Sequence, residues 1–545
     1  MSDPENTASE EPQGPIPAPS LDGATGWLNV ASPISMAQLR GKVVILDFWT
    51  YGCINCLHIL RDLKTLETRF PDELVVIGVH SPKFTNEKDH DNLKRILVRY
   101  EIEHPVANDA DHQIWRRYGV QAWPTRVIID PAGNLVGTAM GEGNLEGFIS
   151  AVRTVVRVFN EQGAIDRAPV KLDLERRRQA DRPLLYPGKI LADQAGGRLF
   201  IADSNHNRIV VASLEGRLIE TIGSGFQGDN DGIFSQARFY RPQGLALDPS
   251  TPPSRPADSA SLRAGPSTSL RAGGGTLYVA DTENHQIRVV DFQARAVHTV
   301  AGTGKQGAWS GAGGDALTID LNSPWDLALK PGILVVAMAG PHQIWVVDLL
   351  HGQAYPYAGT GEEARTDGPV NTATFAQPSG LAIDPSTSLG AGGGTLYVAD
   401  AEANVIRAVA LPPANTVSTI AGGDLFKFGD ADGSGDAVRL QHPLGVAVHG
   451  GRVFIADTYN HKIKMLDPVS RTVTTFAGTG KPGHADGPVA RAQFFEPGGL
   501  SVAGKTLYVA DTNNHAVRTI DLDTREVGTL IIDGLTPPTA WSYLR

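Results

Sequence analysis

Cysteine is nearly absent from this chain, with two in 545 residues, Cys53 and Cys56. That scarcity excludes a disulfide-stapled framework, and any disulfide within the chain must join these two. No run of about 18 apolar residues occurs, so no membrane-spanning helix is expected. Positive charge is also short. Lys+Arg number 48 against 59 Asp+Glu, a net charge of -11. This argues against nucleic acid as the main partner, because phosphate binding needs concentrated cations. Residues 1–20 are polar, acidic and Pro-rich, without the basic and apolar segments of a signal peptide. They are expected to form a disordered tail. A cytoplasmic location is expected, where thiols are kept reduced and a lone Cys-x-x-Cys reads as catalytic rather than structural.

Cys53-Ile54-Asn55-Cys56 follows the apolar run Val43-Val44-Ile45-Leu46-Asp47-Phe48-Trp49. A strand, a short turn and a dithiol opening a helix is a reactive arrangement, because the helix N-terminus carries partial positive charge that favours a thiolate. Around it an α/β pattern is expected. Strands fit 43–49, 74–80, 124–130 and 134–140, and helices fit 54–70, 86–100, 111–118 and 144–159. A structural zinc site with His58 as a third ligand would need a second ligand pair, which the sequence lacks. His58 is expected to be a solvated helix residue.

Asp47 to Cys56, together with Ala122-Trp123-Pro124-Thr125, resembles the thioredoxin fold over about 140 residues. The resemblance implies that Cys53 is the attacking thiolate and Cys56, more buried, the resolving thiol. It implies that Asp47 is a general base for Cys56 and that Trp49 shields the site. It further implies that Pro124 is cis and lies against the dithiol, flanked by backbone that pairs with substrate. Tyr51, Ile54, Asn55, His58, Trp123 and Thr125 flank the site. No cofactor is implied beyond the Cys53–Cys56 disulfide, and no metal. The chain departs from thioredoxin at Ile54-Asn55, where that family has Gly-Pro, and at Gly52, where it has Trp. The helix expected after Val79-His80 also suits peroxiredoxin relatives. The Pro-x-x-x-Thr-x-x-Cys context of a peroxidatic cysteine is missing, so peroxide reduction is the weaker alternative.

Residues 161–187 are charged and hold Arg176-Arg177-Arg178, and are expected to form a linker. From about 188 the chain repeats. Six segments align, from Leu199-Phe200-Ile201-Ala202-Asp203 to Leu507-Tyr508-Val509-Ala510-Asp511, each within four short strands. Radially repeated four-stranded units make a β-propeller, which resembles NHL repeats and is expected to span 188–535 as six blades, with a C-terminal tail over 536–545. Asp203, Asp281, Asp400, Asp457 and Asp511 recur at one position and are expected to cap the turn that follows. His285, His342, His461 and His515 are expected to pack that turn. Gly228-Asp229-Asn230-Asp231-Gly232 and Gly429-Asp430-Ala431-Asp432-Gly433 are expected to be inter-blade turns, since the bidentate Glu of a calcium loop is missing. Residues 249–275 and 385–394 are expected to be expanded surface loops.

The expected fold class is therefore multidomain: an α/β thioredoxin fold over 21–160, then an all-β propeller. The whole resembles the NHL-repeat-containing protein 2 family over about 21–530. Animal members carry a further β domain, whereas this chain ends at Arg545. The expected activity is thiol–disulfide exchange, with the propeller docking a protein partner or protein disulfide substrate. The alternative is a non-catalytic adaptor. A monomer is expected, without nucleic acid or membrane as partner.

Overall fold

The computed structural model describes residues 14–249, 275–307, 312–384 and 394–540. The two expanded loops of the repeats and residues 1–13 and 541–545 lie outside the described residues. The chain divides into two compact units, Met1–Gln179 and Ala180–Arg545.

The first unit is a six-stranded sheet in the order β1-β4-β3-β2-β5-β6. The strands are β1 Gly26–Leu28, β2 Val43–Trp49, β3 Leu74–His80, β4 Val106–Asn108, β5 Thr125–Ile129 and β6 Leu135–Met140. β2, β3 and β4 are parallel, and both β2 and β3 are buried along their whole length. This accounts for their unbroken apolar runs, since neither face meets water. Helices α1 Ile54–Arg69 and α4 Leu145–Glu161 supply side chains to the core on the Val43/Ile45 face. Helices α2 His90–Arg99 and α3 Gln113–Arg117 complete the unit. β1 and β4 escape a reading of periodicity because three residues are too few to show a period.

Three expectations are corrected. The helix over 86–100 is broken: Asn86–Lys88 is a 3-10 turn, and α2 starts at His90 because the Asp89 side chain accepts from Asn92 N at 2.7 Å. Residues 16–20 are not a tail. Pro17 bridges Asn134, Ala18 N donates to Gly133 O, and Tyr118 donates to Pro19 O. Nor is 161–187 a free linker. Asp166 N donates to Gly41 O, and Asp173 N and Glu175 N donate to Asn29, so the stretch up to Gln179 belongs to the first unit. Arg176 pairs with Glu103 and Arg178 with Asp173 and Glu175.

The second unit is six antiparallel sheets, each built from consecutive strands, with inner strands from Ile190–Asp193 to Pro497–Ala503. It is a six-bladed β-propeller. Each recurrent aspartate takes its backbone N–H bond from the preceding segment, while side chains that follow, such as Asn284, Asn460 and Asn514, also donate to it. Asp203, Asp281, Asp400, Asp457 and Asp511 accept from the N–H groups of Leu185, Tyr240, Ala376, Gln441 and Phe495, which precede their blades' inner strands. The turn caps expected of these carboxylates are therefore clamps on the incoming chain. The turn residue that follows reaches the neighbouring blade. His285, His342, His461 and His515, in the left-handed region, accept through Nδ1 from the N–H groups of Ser323, Gln377, Glu496 and Tyr186. Asn207 and Asn404 do the same for Arg241 and His442. The last segment also packs: Leu218 N donates to Asp533 O, Arg208 to Thr536 O, and Ala540 is buried.

Candidate active site

β2 delivers Asp47 and Trp49 to the α1 face, and the turn Thr50-Tyr51-Gly52 carries the chain to Cys53. Cys53 is the N-cap of α1, and its carbonyl accepts from Cys56 N at 3.1 Å and Leu57 N at 3.2 Å. Both cysteines are free thiols and both are buried, Cys53 at 6% exposure and Cys56 at 0%. Burial pushes the Cys56 thiol well above its usual range, and the nearby Cys53 adds to this. Such a thiol needs a base before it can act as a nucleophile.

Asp47 is the carboxylate in reach. It is wholly buried, and neither oxygen has a hydrogen-bond partner among the described residues. Burial raises its pKa from 3.8 to about 7, opposed by electrostatic interaction with His104 and then Arg126. A carboxyl titrating near neutral pH can both take and give a proton there.

The structure draws in a residue that local sequence reading passes over. Glu87 lies in the 3-10 turn, wholly buried, and turns inward. It accepts from Gly52 N at 2.8 Å, Lys83 N at 2.7 Å, Phe84 N at 3.0 Å and the Thr50 hydroxyl. Two of these bonds hold the turn immediately before Cys53, and two tie it to Lys83-Phe84. Its acidity is lowered by burial, against the pull of those donors. A side chain at Gly52 would begin 2.8 Å from Glu87 Oε1 and 3.0 Å from the Phe84 ring. That crowding is why glycine stands where thioredoxin carries Trp. The signal available in the sequence was a charged residue inside an otherwise structural turn, which is weak.

The flanking residues are distributed as follows. The Trp123–Pro124 bond is cis. Pro124 O accepts from Gly141 N, Thr125 donates to Ala122 O, and Trp123 Nε1 donates to Ser81 O at 2.8 Å. Trp49, expected to shield the dithiol, is itself wholly buried in the sheet face, edge-on to His80 at 5.0 Å. Tyr51 stacks on His80 at 5.5 Å and accepts from Asn92 Nδ2. Burial pushes His80 down to about 3, so it is neutral. Ile54 is buried, and Asn55 Oδ1 is buried without a partner among the described residues. His58 is not solvated: its ring is 6% exposed and Nδ1 lies 2.7 Å from Glu142 Oε2, in the loop before α4.

Together these features define a thioredoxin-like domain holding a reduced Cys-x-x-Cys pair over a buried carboxyl, in one chain with a six-bladed propeller. Residues 41–135 match the family described as Thioredoxin-like, and residues 440–464 match the NHL repeat. The chain is 42% identical to Protein SUPPRESSOR OF QUENCHING 1, chloroplastic, of Arabidopsis thaliana, over 97% of its own length and 49% of that protein's. It is 39% identical to NHL repeat-containing protein 2 of Homo sapiens, over 95% of its own length and 72% of that protein's. A segment covering 22% of the chain is 27% identical to thiol-disulfide oxidoreductase YkuV of Bacillus subtilis, across 80% of that protein. The chain belongs to the NHL repeat-containing protein 2 family, and it spans about half the length of the plant relative.

Proposed function

We propose that the protein is a thiol–disulfide oxidoreductase whose propeller holds the protein that carries the substrate disulfide. Cys53 attacks, forming a mixed disulfide, and Cys56 resolves it. The observation that carries the reading is the buried Asp47, without a hydrogen-bond partner among the described residues, beside a Cys56 thiol that burial keeps protonated. The similarity of the first unit to a named thiol-disulfide oxidoreductase supports it. Cys53→Ser should abolish turnover of a model disulfide, and Cys56→Ser should accumulate a mixed disulfide with the partner, identifiable by mass spectrometry. Unchanged turnover in Cys53→Ser overturns the proposal.

The burial of Cys53 at 6% exposure favours a second reading, in which the dithiol is a scaffold element and the protein an adaptor. A dithiol that stays reduced across the glutathione range of potentials would support that reading.

A further inference from the structure

Each resolution step by Cys56 delivers a proton to a carboxyl that has no contact with water. That proton must leave before Asp47 can act again, and the residues around it offer few ways out.

Asp47 is the cross-strand partner of Gly78 in β3, so both face α1, and Trp49 lies two positions along on the same face. Gly78 is conspicuous in an otherwise apolar buried strand. Its φ does not require glycine, but the space does. A side chain there would begin 2.9 Å from Trp49 Nε1 and 3.3 Å from His104 Nε2. The missing side chain lets the indole and imidazole nitrogens converge beside Asp47. His104 is 5% exposed, and its Nε2 has no partner among the described residues, as is true of both Asp47 oxygens and Trp49 Nε1. The other imidazole nitrogen points outward. Nδ1 lies 3.5 Å from Glu67 Oε1 on α1, and the Glu67 side chain is 25% exposed.

The groups that act on Asp47 are Cys56 from α1, His104 from the segment before β4 and Arg126 from β5. Arg126 cannot relay, because a guanidinium keeps its proton throughout the accessible pH range. The indole of Trp49 only donates. Imidazole alone can take a proton on one nitrogen and release another from the second. Beyond His104, Glu67 is the outlet, while the adjacent Glu103 is tied to Lys64 and Arg176.

We infer that His104 and Glu67 form a proton relay that connects the buried Asp47 carboxyl to solvent. The inference rests on the oxidoreductase reading. In the mixed disulfide, the Cys56 S–H proton passes to Asp47 as Cys56 Sγ attacks Cys53 Sγ. The Cys53–Cys56 bond forms, the bond from Cys53 to the substrate sulfur breaks, and the substrate leaves as a thiolate that water protonates. The protein dithiol is oxidised and the substrate disulfide reduced. Asp47 and His104 Nε2, not hydrogen-bonded at rest, then approach, Asp47 hands over its proton, and His104 Nδ1 releases one through Glu67. His104 is thus a positioning residue for Asp47's proton and does not touch the reacting sulfurs.

The test uses the reduced full-length chain mixed rapidly with the aromatic disulfide 5,5′-dithiobis(2-nitrobenzoate). Cys53 attack releases one coloured thiolate, and resolution by Cys56 releases the second. About one pH unit below the point where Asp47 is half protonated, most molecules begin with a neutral Asp47. In the native protein the second release should be a single phase, slowed in proportion to that fraction. In His104→Gln it should split in two. Molecules with ionised Asp47 resolve at once, and the rest wait for proton escape at least about tenfold longer. The slow fraction should grow as pH falls, while the first release stays unchanged. A merely structural role for His104 would slow the whole population together. Glu67→Gln, at a partly exposed position that does not threaten folding, should give the same split with a smaller separation. A single-phase second release in both variants overturns the relay. No second release from the native protein overturns the oxidoreductase reading instead.

Discussion

Asp47 has no hydrogen-bond partner among the described residues, and the interactions with His104 and Arg126 only partly offset its burial, which has a measurable consequence. Burial raises its folded pKa from 3.8 to about 7. Between those values the folded chain holds a proton that the unfolded chain has released. The native protein is therefore most stable, with respect to this group, below the lower value. It loses stability as pH rises from there to about 7, and changes no further above. Asp47→Asn removes that loss. At about pH 8 the variant should be more stable than the native protein by on the order of 3–4 kcal/mol, with the difference vanishing near pH 4. Urea denaturation at the two pH values measures it. Equal stability at both would mean that the carboxyl is solvated. The dithiol, Asp47 and Pro124 were legible because they lie in two short motifs. Glu87, His104 and Arg126 were not. They reach the site because the sheet order sets β3 and β5 beside β2, with β4 next beyond β3, and nothing local marks a buried charge.

At the scale of the element, the propeller's Asp-Gly turns acquire a reason. In blade two, Arg288 is wholly buried and joins Asp281 at 2.9 Å to Asp231 at 2.7 Å, and Thr299 also donates to Asp231. Arg407, Lys464 and Arg518 do the same with Asp400/Asp367, Asp457/Asp432 and Asp511/Asp486. The turns that looked like calcium loops are thus anchored by a cation from their own blade. Blade three lacks every member at once. Gly313, Met338, Trp345 and Pro356 stand in the places of Asp231, Asp281, Arg288 and Thr299. An apolar set has replaced a charged one as a group, as expected where a partly dismantled buried network costs more than none. Asp281→Ala alone should therefore cost about 3–5 kcal/mol. Adding Arg288→Trp and Asp231→Gly should recover part of that loss. Chemical denaturation of the single and triple variants decides it, and strictly additive losses would refute the coupling.

The whole ring closes without exchanging a strand. Blade one comes from 190–222 and blade six ends at Leu530. The seam is held by His515 accepting from Tyr186 N, by Thr512 donating to Pro187 O, by Ser501 accepting from Ala192 N, and by Asp533 bridging Arg217. A cavity of about 210 Å³ is lined by Lys189, Leu245, Asp326, Leu381, Val446 and Leu500. Lys189 reaches from blade one across the axis to Asp326 at 3.2 Å and donates to Ser379 O and Leu444 O on two further blades. Lys189→Met should leave Asp326 buried and unpaired, at a cost of about 3–5 kcal/mol. Lys189→Met with Asp326→Leu should restore most of it. Thermal unfolding of both variants is the check, and a double variant no better than the single would show that the pair does not span the channel as a unit.

The sequence by itself determined the longer elements and the repeat count, because strand periodicity, turn residues and a six-fold recurrence are local patterns, whereas β1, β4 and the break before α2 are too short to show one. It determined the dithiol and its flanking proline for the same reason. Only the tertiary structure decided which distant charges share a space. The clamp of Glu87 on Gly52, the convergence of His104 on Asp47 over Gly78, and the reach of Lys189 across the ring join residues separated by tens to hundreds of positions. Such contacts depend on which strands lie side by side, and a buried charge finds its partner through that placement, not through its neighbours in the chain.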